Sequence, residues 1–62
     1  MLSVKEILDY VYSQGQVDPN LGNELDQVEA AVDFYLSEKV EAGEINKEEA
    51  DKLLARCLDA CA

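Results

Sequence analysis

The chain is punctuated for helices, and that punctuation constrains its fold more than any other feature. Ser3 and Glu6 have the spacing of a capping box, in which an N-cap hydroxyl and a carboxylate three residues on satisfy free main-chain N–H groups. Behind the cap, Val4, Ile7, Leu8 and Val11 recur at the three- and four-residue steps that gather side chains on one helix face. Gly15 then offers the left-handed residue that closes a helix. The pattern predicts a first helix over about residues 4–14. Asp18-Pro19-Asn20 is turn chemistry that also suits a helix start, with Asp18 or Asn20 as the cap. Beyond it Leu21, Leu25, Val28, Val32, Tyr35, Leu36 and Val40 step by three and four until Gly43. This predicts a long second helix over about 19–42, roughly 30 Å in length. Asn46 and Glu49 repeat the cap spacing, with Ile45 and Ala50 flanking them as a hydrophobic staple. The stripe Ala50, Leu53, Leu54, Cys57, Leu58 and Cys61 predicts a third helix over about 47–60. No stretch alternates as a strand would. The expected fold is an all-α, three-helix single domain spanning residues 1–62.

The opening of the third helix, Gly43-Glu44-Ile45-Asn46-Lys47-Glu48-Glu49-Ala50-Asp51-Lys52-Leu53-Leu54, resembles the short helical SHOCT motif. That motif also sets a Gly-x-Ile turn before an acidic, Leu-ended helix. Ala50 stands where the motif usually has an aromatic. The resemblance spans about a dozen residues of capping chemistry and implies a helix start without implying an activity.

Charge narrows the function. Fourteen Asp and Glu oppose five Lys and Arg, and there is no His, for a net charge of −9. Such a chain lacks the basic surface that direct contact with nucleic acid or an anionic membrane requires. Hydrophobic residues make up 48%, enough for a folded core rather than a solvated acidic tail. No apolar run approaches the roughly 18 residues of a membrane span. Met1-Leu2-Ser3-Val4-Lys5-Glu6 sets one Lys directly before an acid, unlike a secretory signal. The expected compartment is the cytoplasm, where Cys57 and Cys61 stay reduced. Their four-residue spacing suits two small residues in a core stripe and is a poor geometry for a bridge within one helix.

Candidate chemistry is sparse. Asp18, Asn20, Asp26 and Glu29 fall at positions one, three, nine and twelve of a calcium loop. Positions five and six are Gly22 and Asn23, the reverse of the ligand and glycine such a loop needs, so a helix start is the expectation. The carboxylate pairs Asp26/Glu29, Glu29/Asp33 and Glu48/Asp51 lie off the apolar stripes, where water solvates them. No Ser or Cys has a His to activate it. Neither metal, cofactor nor catalysis is expected.

Two surfaces remain. Glu6 and Asp9 point outward from the first helix, and Asp26, Glu29 and Asp33 cluster about 100° from the centre of the second helix's apolar face. Only Lys39 interrupts the acids between Glu6 and Glu44. Acids spaced along a rigid helix approximate a row of phosphates, so this face suits a protein partner with a basic surface. Tyr10, Ala30, Ala31 and Phe34 form a second, apolar strip, with Phe34 about 150° from the core centre; either the long helix packs this second face against its own neighbour, or a homodimer buries it, and the small core favours the homodimer. The leading expectation is therefore a non-catalytic acidic module that occupies a basic, nucleic-acid-binding surface. In size and charge it looks like phage or mobile-element inhibitors of restriction or CRISPR machinery, which act in the host cytoplasm. The alternative is a structural or regulatory subunit docking a partner through the apolar strip.

Overall fold

A computed structural model of the chain describes residues 2–61. Its elements are helix α1 (Val4–Ser13), a single 3-10 turn (Pro19–Leu21), helix α2 (Glu24–Glu41) and helix α3 (Lys47–Cys61). Among the described residues there is no strand, and the fold is a small all-helical domain of three helices.

The N-cap half of each expected box is present, without the return bond from the Glu6 or Glu49 carboxylate among the described residues. Ser3 Oγ accepts from the Glu6 main-chain N–H at 3.2 Å, and Asn46 Oδ1 accepts from that of Glu49 at 2.7 Å. Both bonds satisfy donors that a helix start leaves free. α1 and α2 close with the same device. After α1, the N–H of Gly15 reaches Tyr12 O and that of Gln16 reaches Val11 O, at 3.1 and 3.2 Å. After α2, Gly43 bonds to Val40 O and Glu44 to Lys39 O, each at 3.0 Å. These are Schellman closures, with Gly15 at φ 71° and Gly43 at φ 78°.

The start of α2 departs from expectation. Residues 19–42 are not one continuous helix, because Gly22 takes φ 87° and breaks the helical path between the 3-10 turn and α2. Asp18 caps the short turn, with its Oδ1 accepting from Asn20 N–H at 2.9 Å. Gln27 fastens the two pieces. Its Oε1 accepts from Asp18 N–H at 2.6 Å, and its Nε2 donates to Asp18 O and to Asn23 Oδ1, each at 2.9 Å. α2 is left with 18 residues, about 27 Å of helix. The first two leucines of the expected stripe lie outside the core: Leu21, on the 3-10 turn before the break, is 70% exposed, and Leu25, in the first turn of α2, is 46% exposed.

The core is wholly apolar among the described residues. Ile7, Val11, Val28, Val32 and Cys57 have no accessible surface, and Val17, Ala31 and Leu36 join them. Leu8, Tyr35, Leu53, Leu54 and Leu58 pack half-buried around this cluster. Each helix touches the other two, and the α2–α3 contact is the largest. The Cα radius of gyration, 11.0 Å, is close to the roughly 10.6 Å expected of a compact chain this long. One copy thus closes its own core.

Candidate functional site

The five carboxylates expected on the binding face, Glu6, Asp9, Asp26, Glu29 and Asp33, are all exposed. They divide into two sets. On α1, Asp9 faces Lys5 at 3.7 Å with both side chains largely in water. The Lys precedes the acid, which is the less favourable order along a helix, and such pairs contribute about 0.5 kcal/mol at most. On α2, Asp26, Glu29 and Asp33 have no cation within 4.0 Å among the described residues. At about 100° per residue these three lie within an arc of roughly 60°. No ion pair or side-chain hydrogen bond among the described residues links the α1 acids to the α2 acids.

The apolar strip is only partly as expected. Tyr10 (44%), Ala30 and Phe34 (63%) are exposed. Ala31 is not available to a partner: it belongs to the core, because its position on α2 falls within about 60° of Val28. Tyr10 and Phe34 do come together. They line one depression of about 270 Å³ with Tyr35 and Lys39. Tyr10 lies against Tyr35, with ring centroids 4.8 Å apart and planes tilted by 38°. Lys39 Nζ stands 5.4 Å above the Tyr35 ring and 3.3 Å from Glu44 Oε2. The bond to Glu44 raises the ammonium pKa, so the one cation on α2 is engaged within the molecule.

Rotation about α2 makes the two surfaces one. Going around its solvent side, Glu29, Asp33, Asp26, Ser37, Ala30, Glu41, Phe34 and Glu38 follow one another over roughly 180°. All are exposed. Phe34 therefore sits among carboxylates rather than on a separate face. Distance from the core centre alone did not separate the two arrangements.

Where α1 ends and α2 begins, the Tyr12 hydroxyl donates to Glu24 Oε2 at 3.2 Å and lies 4.0 Å from Cys61 Sγ. Burial, then the Cys61 thiol and the Glu24 carboxylate, push the Tyr12 pKa up to about 12. Cys57 is fully buried, and burial, with Cys61 nearby, raises its thiol pKa. Both thiols are free. Along the calcium-like stretch, Asp18 Oδ1 is occupied by its cap, while Asp26 and Glu29 lie on α2. Gln27, whose amide braces that stretch, carries no mark in the sequence that separates it from a solvated glutamine. Compared with protein families, curated proteins and solved structures, the chain matches none, so the SHOCT-like opening of α3 confers no family membership.

Proposed function

We propose that this chain is a non-catalytic, acidic protein-binding module that occupies a basic, nucleic-acid-binding surface on another protein. The observation that carries this reading is the set Asp26, Glu29 and Asp33, exposed on one arc of α2 with no cation within 4.0 Å among the described residues. Successive axial steps of about 4.5 and 6 Å separate them, against about 3.4 Å between phosphates along one strand. A surface built to bind phosphates meets these carboxylates at one- to two-phosphate intervals. Phe34 among them supplies an apolar contact that a nucleic acid backbone would not. An anti-restriction or anti-CRISPR inhibitor acting in a host cytoplasm is the setting that this size and charge suit.

A homodimer or a partner helix seated on Tyr10, Ala30 and Phe34 is the second reading, favoured by the 63% exposure of Phe34. A two-fold contact there opposes the carboxylates of one copy to those of its mate, which costs association. A basic partner meets no such repulsion.

Affinity capture from host lysate at low and high salt, with wild-type chain and two variants, tests these readings. Asp26→Asn, Glu29→Gln and Asp33→Asn together keep shape and remove three charges. Under the first reading they slow association, and wild-type capture falls steeply with salt. Phe34→Ala leaves that salt dependence in place. Capture indifferent to the triple variant but abolished by Phe34→Ala replaces the mimicry reading with apolar docking.

A further inference from the structure

Two features at opposite ends of the molecule have no role in the acidic face. The first is Leu21, 70% exposed on the 3-10 turn. That turn is a rigid mount: Pro19 fixes its first residue, Asp18 caps it, and Gln27 ties it to α2 through both ends of its amide. A large apolar side chain thus projects from a braced support. Acids flank it at three residues on either side, Asp18 and Glu24. The Tyr12 bond to Glu24 places this knob at the end where α1 finishes and α2 begins.

The second feature is a groove of about 430 Å³ lined by Leu2 just before α1, by the α2–α3 connection and by α3 as far as Arg56. Leu2, Ile45 and Leu53 give it an apolar floor, and Lys52 and Arg56 stand along it. Two acids also line it. Glu44 is already paired with Lys39 at 3.3 Å, which leaves Glu49 as the one acid set against Lys52 and Arg56 along the groove. In a chain of net charge −9, two of the five cations meet at this groove. It is where a second copy can approach without facing net negative charge.

We propose that Leu21 of one copy seats in the Leu2–Ile45–Leu53 groove of a second copy, with Asp18 and Glu24 set against Lys52 and Arg56. Knob and groove lie at opposite ends, and copies stacked head to tail join them in a heterologous contact. Each copy both gives and receives, and the product is a chain or ring of protomers rather than a closed two-fold dimer. The contact is small and of the transient class. It leaves Phe34 and the acids beside it facing outward, repeated from copy to copy.

Sedimentation velocity over a concentration series reads this directly. Wild type is expected to show mass growing beyond a dimer as concentration rises toward about 1 mM. Leu21→Ser, at a position outside the core, is expected to weaken association at least about tenfold with the helical spectrum unchanged. Lys52→Glu with Arg56→Glu should do the same from the groove side. Mixing these two variants is the decisive arm. One retains only the groove and the other only the knob, so the mixture should form a 1:1 complex and nothing larger. Three results overturn the proposal: wild type that stays monomeric throughout, association that survives Leu21→Ser, or a mixture that stays monomeric. Loss of association on Phe34→Ala but not on Leu21→Ser assigns self-association to the α2 strip instead.

Discussion

Leu25 and Leu36 are both leucines of α2 on the same three-and-four stride, yet Leu36 is 2% exposed and Leu25 46%. Their truncations should therefore differ. Leu36→Ala removes a filled core position and is expected to lower unfolding free energy by about 2–4 kcal/mol in urea titration. Leu25→Ala should stay within about 0.5 kcal/mol; an equal loss at both would place Leu25 in the core. Tyr12 gives a second residue-scale expectation. Its pKa in the fold is about 12, against an ordinary 10.0, so the folded chain holds the phenolic proton more tightly than the unfolded one. Its contribution to stability is whole below pH 10 and is lost as pH rises from there through 12. Ultraviolet titration should show a late phenolate that moves earlier in Cys61→Ala, since the thiol is one cause of the shift; an unmoved midpoint would leave burial and Glu24 as its causes. Neither result was legible beforehand. Stride alone cannot tell Leu25 from Leu36, and the meeting of Tyr12 with Cys61 joins residues 49 apart.

Elements were legible where their signals are local. Ser3/Glu6, Asn46/Glu49, Gly15 and Gly43 act within a turn of their own positions, and α1 and α3 begin where those signals place them. The start of α2 was not legible. Gly22 and Leu25 permit either a continued helix or a break, and the choice falls to Gln27, whose amide grips Asp18 and Asn23 from inside α2. Gln27→Glu is expected to release this segment. A carboxylate cannot donate to Asp18 O or to Asn23 Oδ1, and it sets like oxygens against each other instead. Hydrogen exchange should then quicken at the Leu21 amide, which donates to Asp18 O within the turn, while the α2–α3 amides stay protected. An unchanged rate would mean that Pro19 and the Asp18 cap hold the turn unaided.

Across the whole molecule the dominant quantity is the net charge of −9 carried on a body 34 Å in its longest dimension. At about 0.01 M salt the screening length, roughly 30 Å, spans that body, and at 0.1 M it falls to about 10 Å. Added salt should accordingly raise the melting temperature of the free chain by weakening self-repulsion; a lowered one would mean that Lys5–Asp9 and Lys39–Glu44 outweigh it. The largest helix contact has a consequence for kinetics. α2 and α3 are consecutive, joined by the short closure at Gly43, so their contact encloses little intervening chain. Docking them loses less entropy than bringing α1 and α3 together across α2, which favours a helical hairpin as the folding nucleus. Stopped-flow measurements should find that Leu36→Ala chiefly slows folding, while Ile7→Ala on α1 chiefly speeds unfolding. The reverse pattern would assign the nucleus to α1. Before the hairpin is joined by α1, it exposes the residues α1 will cover, and the last helix to dock is the one the chain presents first.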